Sequence, residues 1–166
     1  MTRKLEVREP RAKYAATTAQ KQLQPRALLD VNVLIALLDA DHLHHRRATQ
    51  WLSENIAFGW ASCAITQNGC VRIMSQPGYP NPLPTARVAE RLREATSTPH
   101  HLFVPDALSV LDEKRFDSEQ LLGHRQVTDA WLLGLAVAHH LRVVTFDANM
   151  PLRVVRGARS GHVVTL

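Results

Sequence analysis

Short apolar runs that end in aspartate alternate along this chain with longer stretches whose apolar residues recur at helical spacing, and few folds accept that alternation. Ala27-Leu28-Leu29 runs into Asp30 and is followed at once by the apolar segment Val31 to Leu38. Together they are too long for one strand, so they read as a buried strand ending near Asp30 and a helix beginning near Asn32. His45 to Asn55 suits an amphipathic helix with Ala48, Trp51 and Leu52 on one face. Gly59 to Cys63 is the next strand candidate, and Thr66 is placed to cap a helix carrying Val71, Ile73 and Met74. The Pro- and Gly-rich stretch Gln76 to Pro82 reads as a surface loop, and Pro84 to Ala95 as another helix. Leu102-Phe103-Val104 is a strand candidate, and Ala107 to Leu111 reads as the start of a short helix. Thr128 is expected to cap the long apolar helix Asp129 to His140. Leu141 to Phe146 then forms a strand that ends at Asp147, and Val163 to Leu166 an edge strand. Strands alternating with helices predict an α/β fold: a parallel sheet covered on both faces, with right-handed crossovers.

A chain of 166 residues, 45% of them hydrophobic, suffices for one layered core. No apolar run approaches the ~20 residues that cross a bilayer, and charges stand where a leader would be apolar, so a soluble, cytoplasmic protein is expected. Cys63 and Cys70 lack the close pairing of a zinc or redox motif and are expected to be reduced core residues. The net charge of +5 is not spread over the chain. Residues 1–26 hold seven basic side chains against two acidic ones, and the remainder is balanced. Poor in apolar periodicity, those residues read as a flexible N-terminal arm preceding a domain at 27–166. Such an arm is either a tail that attracts nucleic acid or a plain disordered extension; the second is the expectation.

In an open parallel sheet, ligands bind beyond the carboxyl ends of the strands. Asp30 and Asp147 fall there, and Asp129 opens a helix that packs on the same sheet. Three carboxylates at one end repel one another unless a cation joins them, and oxygen-only donors select hard Mg²⁺ or Mn²⁺. A cation so held activates water and stabilises charge on a phosphodiester, so hydrolysis of a nucleic-acid backbone is the natural use. Taken singly, each Asp also suits a surface position after a strand or at a helix start.

The joint pattern resembles a known family. LLDVNVLIALLD at residues 28–39, ITQNGCVRI at 65–73, VTDAWLLGLA at 127–136 and VVTFDANM at 143–150 are similar to the four successive motifs of PIN domains, in order and at suitable spacing. The resemblance implies a three-layer α/β/α PIN-like domain with a central parallel sheet. It carries the family's metal-binding acidic roles onto Asp30, Asp129 and Asp147, and a polar supporting role onto Asn32. The sequence departs at Gln67, where many PIN proteins have Glu; a neutral amide adds no charge and is no general base near neutrality. His45, Ala48, Trp51 and Leu52, followed by the TQNG segment, resemble one subgroup of VapC-type toxins. That subgroup implies a small metal-dependent ribonuclease, a homodimer, and a VapB-type antitoxin whose C-terminal segment lies in a groove. Leu34, Ile35, Leu38, Trp51 and Leu52 are candidates for that groove, although such a stripe is more often core.

Other signals carry less. His42, His44 and His45 lack a second ligand pair at zinc spacing, and no nucleotide-binding glycine fingerprint is present. Arg72, His124 and Arg125 flank the site in sequence and suit either phosphate contacts or surface ion pairs. The DVNV segment resembles the start of haloacid-dehalogenase-like phosphatases, except that Asn32 stands where their second Asp would be. The rival to the nuclease is a catalytically impaired PIN-fold module that keeps RNA or partner binding and has lost metal affinity through Gln67.

Overall fold

Ala27, Leu28 and Leu29 offer only apolar side chains, and all three are buried in the central strand of the sheet, β1 (Ala27–Leu29). The computed structural model describes residues 24–105 and 107–166, so the basic arm lies, as far as residue 23, outside the described residues. The other strands are β2 (Trp60–Cys63), β3 (His101–Val104), β4 (Arg142–Thr145) and β5 (Val163–Thr165). Their order is β3-β2-β1-β4-β5, and each neighbouring pair runs parallel. A sheet of this kind is covered on both sides, which explains why β1 and β2 are apolar almost throughout and buried on both faces.

Side chains alternate across the pleat and so feed two cores. Ala27, Leu29, Trp60 and Val144 face α1 (Val31–Leu38), α2 (His45–Asn55), α3 (Ala64–Met74) and α4 (Thr85–Thr96). Leu28, Ala61, Cys63 and Val143 face α5 (Val127–Ala138), which buries seven consecutive residues from Ala130 to Ala136. The result is the expected three-layer α/β/α arrangement. Phe116 seals the α5 side, and it lies so close to Gly134 that a Cβ there would stand only 2.4 Å from a ring carbon. Cys63 and Cys70 are both buried and form no disulfide, and burial pushes the Cys70 thiol up to about 12.

Several boundaries differ from the sequence expectation for local reasons. The helix assigned to a Thr66 cap begins at Ala64, with Cys63 as its cap residue. Thr66 Oγ1 instead accepts the Cys63 amide at 3.1 Å from one turn inside the helix, the returning half of a capping box. α5 begins at Val127 rather than behind Thr128, because a single 3-10 turn at His124–Gln126 leads into it. No helix forms over Ala107 to Leu111. There Ser109 Oγ accepts the Leu111 amide at 3.2 Å and the Leu108 carbonyl accepts Trp131 Nε1 at 2.9 Å, so side chains take the groups a helix would use. β4 ends at Thr145, which leaves Asp147 two residues beyond the strand.

Candidate functional site

The carboxyl ends of β1 and β4 lie side by side, with Leu29 opposite Val144. Asp30 follows β1 directly and caps α1, its Oδ1 accepting the Val31 amide at 2.6 Å. The side chain is buried, and its other oxygen accepts the hydroxyl of Thr145 at 2.7 Å. Thr145, the last residue of β4, is wholly buried. Its oxygen also accepts Asn32 Nδ2 at 3.1 Å and the Asp147 amide at 3.0 Å, which fills its one donor and two acceptor positions. Asn32 closes the loop, since its Oδ1 accepts the Phe146 amide at 3.4 Å. The Asn149 amide in turn donates to Asp147 Oδ1 at 2.7 Å.

Asp129 stands in the first turn of α5 and is half-buried. Burial, followed by the charges of Asp30 and Asp147, pushes its carboxyl up to about 6. Burial likewise raises Asp30, with Asp147 adding to the rise, although hydrogen bonds from Thr145, Val31 and Asn32 work against it. Asp147 adds to the rise of both carboxyls, and Asp30 to that of Asp129. Asp30, Asp129 and Asp147 therefore share one negatively charged site. They share it without closing up: among the described residues, no three His, Cys, Asp or Glu side chains are gathered tightly enough to hold a metal ion. An all-oxygen set of mutually repelling carboxylates still suits a hard divalent cation by its chemistry.

The structure does not bring Gln67 into this cluster. Its Nε2 donates to Ser62 Oγ at 2.9 Å, and that hydroxyl also meets His101 Nε2 at 2.8 Å. The phase of α3 explains the difference. Gly69 is the residue of that helix set against Val31 at the start of α1, and Gln67, two positions away, lies about 200° around the helix. Gln67 consequently borders a cleft between α3 and α4, with Val71, Leu92 and Arg93. His124 and Arg125 are exposed in the turn before α5, and Arg72 is exposed in the last turn of α3. Thr145 is the residue sequence reasoning missed; its one signal is a hydroxyl at the buried end of a strand, two positions before a candidate Asp.

Of the five groove candidates, Leu34, Leu38 and Leu52 line an apolar cleft of about 460 Å³, shared with Ile56, Trp60 and Leu92. Ile35 is core, and Trp51 lies beneath the Arg142 guanidinium at 5.7 Å.

Comparison with known proteins adds an independent line. Residues 27–156 match the sequence pattern of the PIN domain family. The chain is 54% identical over 141 residues to Ribonuclease VapC44 of Mycobacterium tuberculosis, covering 85% of this chain and 99% of that protein. It is 40% identical over 125 residues to Ribonuclease VapC38 of the same organism, covering 75% of this chain and 86% of the relative. Ribonuclease VapC39, again from that organism, is 41% identical over 125 residues, with 75% of this chain and 90% of the relative covered.

Proposed function

The chain belongs to the PIN domain family and its VapC branch, and from that premise we propose that it is an endoribonuclease toxin that hydrolyses RNA with Asp30, Asp129 and Asp147 around a divalent cation. The observation that supports the metal assignment is the convergence of Asp30, Asp129 and Asp147: burial first, then the charges of Asp30 and Asp147, raises Asp129 to about 6. Bound there, Mg²⁺ or Mn²⁺ would supply a polarised phosphodiester and an acidified water. The residues of the chain do the rest. Thr145 fixes one Asp30 oxygen and, through its bond from the Asp147 amide, the start of the loop that carries Asp147. Asn32 holds the Thr145 hydroxyl so that its proton points to Asp30. Asn149 keeps one Asp147 oxygen oriented through its backbone amide. Positioning of this kind limits how far the carboxylates must move to close on a cation and a phosphate.

The impaired-module alternative rested on Gln67. With its amide on Ser62, the neutrality of Gln67 subtracts nothing from the three carboxylates, and the nuclease is the better supported reading. RNA is the substrate, a VapB-type antitoxin the neutralising partner, and a homodimer the working form. The apolar cleft at Leu34, Leu38 and Leu52 is the place for the antitoxin segment. Among the described residues no helix is long and apolar enough to cross a membrane.

Protein purified away from any antitoxin is expected to cut structured RNA, and EDTA to stop it. Cleavage by Asp129→Asn at the parent rate overturns the assignment. Light scattering tests the dimer, and co-purification with the product of an adjacent short gene tests the antitoxin.

A further inference from the structure

A second cleft opens beside the carboxylates, between the turn that leads into α5 and the loop that follows Asp147. Its volume is about 470 Å³, within the ~300–1,000 Å³ that small-molecule sites occupy. Both walls are tied to the site. Asn149, on one wall, donates its amide to Asp147. Gln126, on the other, precedes α5 by one residue and Asp129 by three.

The lining is of two kinds. Leu122, Met150, Pro151 and Leu152 give apolar surface, while Gln120, Gln126 and Asn149 give neutral amides and Arg153 a cation. Among the described residues, no acidic side chain lines it. Leu122 is among the most exposed large apolar side chains, at 89%. Its backbone amide donates to Gln126 Oε1 at 3.0 Å, which fixes the orientation of that amide group and leaves its Nε2 as a donor. Apolar faces with convergent amides suit a flat heteroaromatic ring: the ring stacks on the apolar wall, Gln126 offers its edge a donor, and Gln120 and Asn149 offer a donor and an acceptor each. Single-stranded RNA is recognised in this way, by bases turned out of the stack.

Resting on the ribonuclease reading, we infer that this cleft seats one nucleotide adjacent to the scissile phosphodiester, with Gln120, Gln126 and Asn149 reading its base and Arg153 holding its phosphate. The cleft thus sets base preference, while the carboxylates set the chemistry. A contact to a base edge discriminates by about five- to a hundredfold, whereas a phosphate contact acts alike on every sequence.

The test measures binding in EDTA, where no cleavage intervenes, by fluorescence anisotropy of labelled oligo(A), oligo(C) and oligo(U) hexaribonucleotides. The parent is expected to favour one of the three by at least about fivefold. Asn149→Ala and Gln120→Ala, both at exposed positions, are expected to flatten that preference with an unchanged melting temperature. Arg153→Ala is expected to weaken all three alike. Equal affinity of the parent for the three, no measurable binding to any of them, or an undiminished preference in both amide variants overturns the inference. Mapping cleavage sites on a long RNA separates the two levels. If the parent binds with a preference that the amide variants lose but cuts nothing, the ribonuclease reading fails and the cleft stands. If the parent cuts and the variants cut at the same bases, the cleft fails and the ribonuclease stands.

Discussion

Thr145 and Asp30, 115 positions apart in sequence, meet at 2.7 Å in a buried hydrogen bond that joins the ends of two neighbouring strands. The same hydroxyl oxygen receives Asn32 and the Asp147 amide. Thr145→Val keeps the shape of the side chain and removes all three bonds. Leaving buried polar groups unpaired costs ~1–3 kcal/mol, so urea unfolding is expected to show a loss of about that size. RNA cleavage should fall further than stability accounts for, and Thr145→Ser should restore most of both. Full cleavage by the valine variant rules out a positioning role.

Asp129→Asn removes one of three carboxylates that repel one another. Cleavage is expected to be lost, while the melting temperature in EDTA stays the same or rises, since the charge it removes is destabilising in the folded protein. A variant that is both inactive and markedly less stable would instead indicate a structural role.

The raised Asp129 carboxyl gives this contrast a pH dependence. Its value moves from 3.8 to about 6 on folding, so the folded protein binds the proton more tightly than the unfolded chain. The stabilisation is full below about 3.8 and is lost as pH rises through about 6. In EDTA, the melting temperature of the parent relative to Asp129→Asn should therefore fall between pH 4 and 7. Mg²⁺ or Mn²⁺ added above pH 6 should raise the parent and leave the variant nearly unmoved. Equal responses of the two proteins would place the cation elsewhere.

The end of β1 at Asp30 was legible because a fully buried parallel strand is an unbroken apolar run, and the first polar residue after it marks the end. β4 stops at Thr145, two residues short of Asp147, because Thr145 is itself a buried polar strand residue that the rule does not anticipate. Asn32 was legible through the family motif and acquires a partner only in three dimensions. Thr145 was not legible: threonine is an ordinary strand residue, and nothing local distinguishes a hydroxyl that faces a carboxylate from one that faces solvent. The orientation of Gln67 was not legible for a related reason. Its position in a motif is a matter of sequence, but which side it faces depends on the phase of α3, set by the contact of Gly69 with Val31. The helix expected over Ala107 to Leu111 failed because Ser109 competes for the backbone, a choice that propensity alone does not decide.

Packing on the far face of the sheet makes a prediction with no electrostatic component. Gly134 lies in the middle of α5, where alanine is favoured by ~1 kcal/mol in an open helix. Here a Cβ would clash with the edge of the Phe116 ring and press on Leu108. Overpacking of this kind costs about 1–3 kcal/mol, so Gly134→Ala should be destabilising despite its better helix propensity. Gly134→Ala with Phe116→Leu should recover part of the loss, and a single variant more stable than the parent would show that the ring moves freely aside.

Gln67→Glu separates the two views of the second motif. If Gln67 stood where the family's acid meets the metal, a carboxylate there would strengthen divalent-cation binding and speed cleavage. In this structure its Nε2 donates to Ser62, whose hydroxyl also engages His101. The substitution replaces that donor with a second acceptor and adds a charge in a half-buried place beside Ser62. The expected result is a small loss of stability, about 1 kcal/mol for one hydrogen bond, with Mn²⁺ affinity by calorimetry unchanged within twofold and no gain in cleavage rate. Tighter Mn²⁺ binding with faster cleavage would mean that Gln67 turns toward the carboxylates when the cation is present.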